Sequence, residues 1–295
     1  WPDALTLIRL SLADGGPANA ARIFSGCGTD QLAPADARSL DDVIGAYLEQ
    51  LAAIQKLGGR VILMASRALA RIAKSPDDYI RVYSRVLQEA DHPVILHWLG
   101  EMFDPALKGY WGSGEFPQNM QTCLAAINGN VEKVDGIKIS LLDAEKEIQM
   151  RRLLPASVKM YTGDDFNYPD LIAGDELGFS HALLGIFDAI APAASAALVA
   201  LAGNDMRTYR TLMEPTVPLS QLIFREPTQY YKTGIVFLAW LNGHQSHFVM
   251  VAGAHAMRPI SYFADIFRLA DHARLLRDPE LAAKRMQQLL AIYGL

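Results

Sequence analysis

The sequence predicts an α/β fold built on a parallel β-sheet, and three observations support this prediction. Short apolar segments with the composition of buried strands recur about every 30 residues, and helical patterns lie between them. The segments are almost wholly apolar, as strands of a parallel sheet are when helices cover both faces. Polar side chains follow the carboxyl ends of these segments, which is the face where α/β barrels place their active sites.

The predicted elements follow one another in a regular order. Pro2 suits the first turn of a helix over residues 1–13. Ser39 is a typical N-cap for the next helix, which ends before Gly58. A third helix begins at Pro76. The predicted strands are 22–28, 61–65, 93–98, 134–140, 158–162 and 182–186.

Beyond the third strand, the pattern becomes increasingly helical. A helix around Met120 leads into the strand 134–140, and a short charged helix over 143–153 follows it. Segment 182–186 is predicted as the sixth strand, although periodicity alone does not separate it from a helix. Helical patterns dominate from residue 192 onward.

The count of six strands bears on the fold and its domains. A TIM (β/α)₈ barrel needs eight strands in about 250 residues. In this chain of 295 residues, we expect such a barrel with its first two strands lying upstream of Trp1, and an open sheet is the alternative. Residues 1–191 would belong to the barrel, and residues 192–295 would form a C-terminal helical region packed on it.

Composition and charge argue against several classes of protein. The net charge is −5 and no run of Lys or Arg stands out, so we expect no nucleic-acid partner. Polar residues or glycine interrupt every apolar run well before the length of a membrane span. Cys27 and Cys123 lie far apart without metal-ligand spacing, which favours a reducing compartment and a cytoplasmic protein.

The fourth predicted strand contains the most informative residue, Lys138. Side chains alternate along a strand, so Ile137 and Ile139 share one face, and Lys138 shares the other with Gly136 and Ser140. A lysine between two small residues on such a strand is unusual, because lysine is rarely buried unless it is paired or functional. The alternative is a lysine at a strand end whose ammonium group reaches water.

Several short segments carry a family resemblance. They are Arg22 to Thr29, Val94-Ile95-Leu96-His97, Gly136-Ile137-Lys138, Thr162-Gly163-Asp164-Asp165 and Glu226-Pro227-Thr228. In this order they resemble strands three, five, six and seven, and the helical extension, of the dihydrodipicolinate synthase and N-acetylneuraminate lyase superfamily. The predicted strands would then be strands three to eight of that barrel. Longer stretches, His97 to Pro105 and Tyr161 to Tyr168, are similar to the branch called domain of unknown function 993.

The resemblance implies a class I aldolase-type barrel in which Lys138 forms a Schiff base with a small keto acid or aldehyde. No further cofactor would be needed. Lysine reacts as the free amine, and its solution pKa is about 10.4. Burial beside Ile137 and Ile139 would lower that pKa. The protonated imine would then serve as an electron sink for making or breaking a neighbouring C–C bond.

Two departures from the superfamily pattern affect the substrate. The fifth strand of the superfamily ends in a Tyr-Asn-x-Pro motif whose tyrosine relays protons, and here His97-Trp98-Leu99-Gly100 occupies that place. The carboxylate-binding Thr-Thr motif belongs to the second strand, which this sequence does not contain. The known substrates of the superfamily therefore do not carry over.

Other residues at the strand ends are candidates for supporting roles. His97 suits proton transfer near neutral pH, and the alternative is a core histidine bonded to a backbone carbonyl. Asp164 would orient a substrate hydroxyl or hold a helix N-terminus. Arg67 would bind a substrate carboxylate through its planar guanidinium or form a structural salt bridge. The remaining candidate substrate-binding residues are Glu101, Tyr161, Asp165 and Thr29.

Two other functions stay open at this point. In a metal-dependent barrel, His97, Glu101 and Asp164 would bind a divalent cation and Lys138 would only assist electrostatically. The second alternative is a non-catalytic barrel that binds a small molecule. A borohydride trap separates the Schiff-base function from both alternatives.

The C-terminal region bears on oligomeric state. It is rich in apolar residues that look exposed in the sequence, among them Phe237, Leu238 and Trp240. Together with the resemblance, this predicts a homodimer or homotetramer.

Overall fold

The structure is a computed structural model that describes residues 1–295, and the chain divides into two compact units. The first unit contains Trp1–Thr162 and Asp175–His181. The second unit contains Gly163–Gly174 and Ala182–Leu295. No helix combines the length and the apolar composition that a membrane span requires.

The β-sheet has six strands, and each strand is the neighbour of the next one in the chain. The strands are β1 (Phe24–Cys27), β2 (Arg60–Leu63), β3 (Val94–Leu99), β4 (Val134–Ser140), β5 (Lys159–Thr162) and β6 (His181–Ala182). The pairs from β1 to β5 are all parallel. The predicted parallel α/β architecture is therefore confirmed.

Helices connect the strands of the first unit. They are α1 (Pro2–Gly15), α2 (Pro17–Ala20), α3 (Leu40–Lys56), α4 (Arg67–Ile72), α5 (Pro76–Gln88), α6 (Phe116–Asn128) and α7 (Ala144–Leu153). Ser39 caps α3 in a reciprocal capping box with Asp42, as its N-cap position predicts. Helix α4 has only six residues and begins after its N-cap Ser66, and it was not predicted from the sequence.

The two faces of the sheet differ in chemistry, as the alternation in β4 predicts. Leu96 and Trp98 in β3 and Ile137 and Ile139 in β4 belong to the apolar core of the first unit. Their neighbours in the same strands point to the opposite face, because side chains alternate along a strand. We call that opposite face the inner face. It receives Lys138.

The second unit is helical. Its helices are α8 (Tyr168–Ala173), α9 (Phe187–Ala202), α10 (Met206–Met213), α11 (Val217–Ile223), α12 (Tyr231–Leu241), α13 (Ile260–His272) and α14 (Pro279–Ile292). The predicted boundary after residue 191 falls within α9, which kinks at Ile190 just before Pro192.

Two expectations about this region are wrong. The predicted strand 182–186 ends at Ala182, because the Ile186 amide donates to Asp165 Oδ1 at 2.8 Å instead of to a strand, and α9 begins at the next residue. Phe237 and Leu238 are buried, and so is Trp240 at 9% exposure. These three side chains therefore do not provide an exposed apolar surface for oligomer formation.

Candidate active site

Three side chains of the inner face form one row across three strands. His97 in β3 is the register partner of Lys138 in β4, and Lys138 is the register partner of Tyr161 in β5. Register partners on parallel strands point to the same face of a sheet. The row His97–Lys138–Tyr161 therefore places three predicted site residues on neighbouring strands within the first unit.

Lys138 lies in the middle of this row and is partly exposed. Its strand neighbours Ile137 and Ile139 are almost fully buried on the opposite face, at 0% and 1% exposure. The buried sheet thus fixes the direction of the lysine side chain, because a one-residue slip of β4 would put the isoleucines on the inner face. This arrangement matches the interpretation of β4 drawn from the sequence.

His97 is buried and its two ring nitrogens face different side chains. Nε2 lies 2.9 Å from Ser140 Oγ, and Nδ1 lies 3.4 Å from Met64 Sδ. Burial, followed by the positive charge of Lys138, lowers the pKa of His97 well below its usual range. His97 is therefore neutral at pH 7, and its contacts are a hydroxyl and a thioether rather than the backbone carbonyl of the core-histidine alternative.

Tyr161 lies across Gly136 and is held by a carboxylate. Its hydroxyl donates to Asp135 Oδ2 at 2.6 Å, while Lys159 Nζ lies 2.9 Å from Asp135 Oδ1. Burial and the hydrogen bond to Asp135 raise the pKa of Tyr161, so the phenol stays protonated. The ring of His181 lies 5.5 Å from the Tyr161 ring.

Asp135 reaches Tyr161 because β4 contains a bulge. Val94 pairs with Val134 and Ile95 pairs with Gly136, so Asp135 is an extra residue opposite a single step of β3. Such a bulge redirects a side chain and is common beside active sites. Because of the bulge, the Asp135 carboxylate can bind Tyr161 while Gly136, Lys138 and Ser140 still point to the inner face.

Thr29 follows the end of β1 and is hydrogen-bonded to Ser66, which follows the end of β2. Its hydroxyl lies 2.6 Å from that of Ser66, and both side chains are buried. Ser66 Oγ also accepts the Leu69 amide at the start of α4, and the Ser66 amide donates to Tyr110 Oη at 3.1 Å. Thr29 thus belongs to a fixed hydrogen-bond network, and its contact with a substrate stays a prediction.

Arg67 and Glu101 lie in more exposed positions of the first unit. Arg67 donates through Nε to Asp104 and forms a second, longer ion pair with Asp30 at 3.7 Å. The salt bridge named as its alternative role is therefore present. Glu101 lines a cleft of about 220 Å³ together with Lys146. Their roles toward substrate stay predictions.

Asp164 and Asp165 belong to the second unit, and both are buried. Asp164 accepts hydrogen bonds from the amides of Phe166 and Asn167 at 2.8 and 3.0 Å. Asp165 Oδ1 accepts the Ile186 amide, as described above. Both carboxylates therefore shape the backbone around α8 and α9, and their action on a substrate stays a prediction.

The side chains in the structure do not form a set of ligands for a metal ion. No group of three or more His, Cys, Asp or Glu side chains is placed to hold a cation. The ring nitrogens of His97 face Ser140 and Met64 instead of a carboxylate. The metal alternative is therefore not supported by the geometry.

Sequence reasoning missed three participants in this site. Ser140 shares the inner face with Lys138, as the alternation predicts, but its hydrogen bond to His97 has no signal in the sequence of β4 alone. Met64 follows directly after β2, and Asp135 lies in the bulge of β4. The spacing of two residues between Lys138 and Ser140 was the available signal, whereas the contacts of Met64 and Asp135 depend on strand register.

Comparison with known proteins places the chain in a family and a fold. The model of the family described as "Protein of unknown function (DUF993)" matches residues 1–295. No curated protein sequence is significantly similar to the chain. Solved structures with the same fold do match, and those below are dihydrodipicolinate synthases.

Three of these structures illustrate the likeness. The synthase from Thermotoga maritima has a TM-score of 0.68 at 12% identity, covering 92% of this chain and 81% of its own. The 4-hydroxy-tetrahydrodipicolinate synthase from Methylacidiphilum fumariolicum has a TM-score of 0.68 at 14% identity, covering 96% and 81%. The chloride-inhibited synthase from Acinetobacter baumannii, complexed with pyruvate, has a TM-score of 0.62 at 15% identity, covering 93% and 81%. This likeness confirms the predicted TIM-barrel fold with C-terminal helices.

Proposed function

We propose that this chain, which belongs to the DUF993 family, is a carbon–carbon lyase that forms a Schiff base between Lys138 and a small keto acid or aldehyde. The observation that carries the proposal is the row His97–Lys138–Tyr161 on the inner face of the sheet. The shared fold with dihydrodipicolinate synthases supports an aldolase-type reaction. The family resemblance of β4 implies that Lys138 is the reacting amine.

The first half of the reaction joins the lysine to the carbonyl compound. The lone pair of Lys138 Nζ attacks the carbonyl carbon, and the π-electrons of the carbonyl move to oxygen. Loss of water from this adduct leaves an imine, which requires protons to leave nitrogen and reach the departing oxygen. His97 is the titratable group on the neighbouring strand, and because it is neutral at pH 7, one of its ring nitrogens has a free lone pair that can accept a proton in this transfer.

The second half of the reaction uses the imine as an electron sink. Once a proton from solvent gives the nitrogen a positive charge, the electron pair of the C–C bond one carbon away can move toward it as that bond breaks. The hydroxyl on the departing fragment loses its proton to solvent at the same time, so that this fragment leaves as a carbonyl compound. The product on the enzyme is an enamine, and the reverse steps form a C–C bond. The direction of the net reaction follows from the substrate that the site accepts.

Pyruvate is the first substrate to test, because the Acinetobacter baumannii synthase was solved in complex with pyruvate. Arg67, Glu101 and Thr29 are the first-unit candidates for contacts with the rest of the substrate. Arg67 would have to exchange its ion pair with Asp104 for a substrate carboxylate. A substrate that lacks a carboxylate would leave that ion pair intact.

Borohydride trapping tests the proposal. The protein is incubated with a panel of keto acids and aldehydes, treated with sodium borohydride, digested and analysed by mass spectrometry. We expect the added mass on the peptide containing Lys138. The Lys138→Ala variant should lose trapping, while Lys232→Ala, which removes a lysine of the second unit, should trap as the parent does.

Two results would count against the proposal. One is labelling that is unchanged in Lys138→Ala or spread over surface lysines. The other is the absence of any adduct across the whole panel, which would favour a non-catalytic barrel. Circular dichroism of Lys138→Ala establishes that the variant is folded before its trapping is compared.

A further inference from the structure

Ser140 and His97 form a hydrogen-bonded pair next to the proposed Schiff-base lysine. His97 Nε2 lies 2.9 Å from Ser140 Oγ, and the exposed fractions of these side chains are 5% and 3%. Ser140 is two residues beyond Lys138 in β4, on the same face, about 7 Å away along the strand. A lysine with its four-carbon stem can reach across that distance.

We propose that Ser140 is a further catalytic residue of the Lys138 site, where its hydroxyl passes protons between the reacting nitrogen and oxygen with His97 as the base. This inference rests on the Schiff-base function proposed above. It adds a residue to that reaction and assigns a direction to the hydrogen bond between Ser140 and His97.

The contact between His97 and Met64 sets this direction. A thioether sulfur has no proton to donate, so the 3.4 Å contact of Met64 Sδ with His97 Nδ1 is a hydrogen bond in the tautomer that carries the hydrogen on Nδ1, and we assign that tautomer to His97. Because His97 is neutral, its Nε2 then carries only a lone pair. In this tautomer, Ser140 donates its hydroxyl proton to Nε2. Met64 acts as a positioning residue that selects the tautomer.

This hydrogen bond makes Ser140 a competent proton relay. Polarisation of a hydroxyl by a neutral imidazole is the arrangement by which enzymes activate serine. Here the hydroxyl exchanges protons and forms no covalent bond with the substrate. Ser140 is the one residue of β4 that carries a hydroxyl, and it shares the inner face with Lys138.

The protons balance in each step of imine formation. Attack by the amine gives a positively charged nitrogen and a negatively charged oxygen, and one proton passes from nitrogen to oxygen through Ser140. In the dehydration step, Ser140 takes the second proton from nitrogen while its own moves to His97 Nε2. That proton then returns to the departing oxygen, which leaves as water with the C–O bond pair. Ser140 and His97 end in their starting protonation states.

The tautomer of His97 can be measured without any substrate. In a protein labelled with ¹⁵N-histidine, we expect the resonances of His97 at pH 7.5 to show a protonated Nδ1 and an unprotonated Nε2. In Met64→Leu, a substitution of similar volume without the sulfur acceptor, the hydrogen should move to Nε2. A protonated Nε2 in the parent protein would overturn the inference.

The decisive experiment measures the rate of adduct formation. Rapid-quench borohydride trapping with the best substrate of the panel is compared for the parent, Ser140→Ala, Ser140→Thr and Ser84→Ala. Ser84 is the matched control, because its hydroxyl also forms one side-chain hydrogen bond in the first unit, in which it accepts from Asn130 at 2.8 Å. We expect Ser140→Ala to form the adduct roughly 10²-fold more slowly, in line with a lost proton relay. Its final extent of labelling at Lys138 should equal that of the parent, and Ser140→Thr and Ser84→Ala should react at nearly the parent rate.

The outcomes separate the two proposals. If the parent traps substrate and a folded Ser140→Ala traps at the same rate, the relay is wrong and the Schiff-base function stands. If the parent traps nothing, both proposals fall. If Ser140→Ala does not fold, Met64→Leu decides: slower trapping together with a changed pH profile supports the relay, and an unchanged rate and profile overturn it.

Discussion

Gly136 lies directly under the ring of Tyr161, and no side chain fits between them. A Cβ atom at residue 136 would be 2.6 Å from Tyr161 Cε2 and 2.5 Å from the backbone oxygen of Lys159. Backbone of a neighbouring strand cannot move aside easily, so Gly136→Ala should lower the free energy of unfolding by about 1–3 kcal/mol, as overpacking does. Urea denaturation measures this change.

The matched control for that variant is Gly45→Ala in α3. A Cβ atom at residue 45 meets nothing within 4 Å. Alanine is favoured over glycine inside a helix by up to about 1 kcal/mol, so this variant should be as stable as the parent or more stable. Equal stability of Gly136→Ala and the parent would mean that Tyr161 does not occupy the described position.

His97→Gln should slow imine formation. The amide of glutamine retains hydrogen-bonding capacity but does not accept and return a proton as imidazole does, so we expect a loss of roughly 10²-fold or more in the rate of trapping. Lys138 should still be the labelled residue. His92→Gln, which changes an exposed histidine of the same unit, serves as the control and should keep the parent rate. A parent-like rate in His97→Gln would leave His97 as a structural residue.

His97 should also make the stability of the protein depend on pH. The unfolded chain binds a proton on this histidine near its ordinary pKa of 6.5, whereas the folded protein, with burial and Lys138 nearby, does so only at lower pH. Between these two pKa values the unfolded state binds more protons, so the free energy of unfolding falls as the pH decreases below 6.5. Urea denaturation at pH 7.5 and 5.5 should show a smaller decrease in His97→Gln. An equal decrease in both proteins would contradict the assignment.

Tyr161→Phe separates a structural from a substrate-binding role of the phenol. The hydroxyl of Tyr161 is already donated to Asp135, so its removal should cost about 1–3 kcal/mol of stability by leaving a charged partner less satisfied. The rate of adduct formation should stay within roughly threefold of the parent. A much larger loss in the trapping rate would show that Tyr161 takes part in the reaction. Tyr293→Phe, at the exposed C-terminus, is the control.

The sequence predicted those elements best in which a local pattern and burial agree. Strand β4 was predicted at its observed bounds because its isoleucines, which lie on the core side of the sheet, alternate with small and polar residues on the inner face. The prediction of a strand over residues 182–186 was wrong, because an apolar run of five residues has no periodicity that distinguishes strand from helix. The Ile186 amide donates to Asp165, which is 21 residues earlier in the chain, and a local pattern gives no signal for that contact.

The candidate site was predictable in its residues but not in its contacts. Alternation placed Lys138 on the inner face, and the strand-end position singled out His97. Their pairing depends on the register between β3 and β4, which the bulge at Asp135 shifts by one residue. Sequence patterns contain no signal for that shift. The Met64–His97 contact has the same origin, because residues 33 positions apart become neighbours only through the sheet.

The bulge at Asp135 also determines how β4 can tolerate changes in length. Val134 packs in the apolar core with Val94, yet Lys138, an even number of residues later, points to the inner face, because the extra residue reverses the phase of alternation between them. Deleting Asp135 would restore a regular ladder and keep Lys138 inward. Inserting one residue between Gly136 and Lys138 would instead turn the amine into the core. A deletion at Asp135, before Gly136, therefore preserves the direction of the Lys138 side chain, whereas an insertion after Gly136 reverses it.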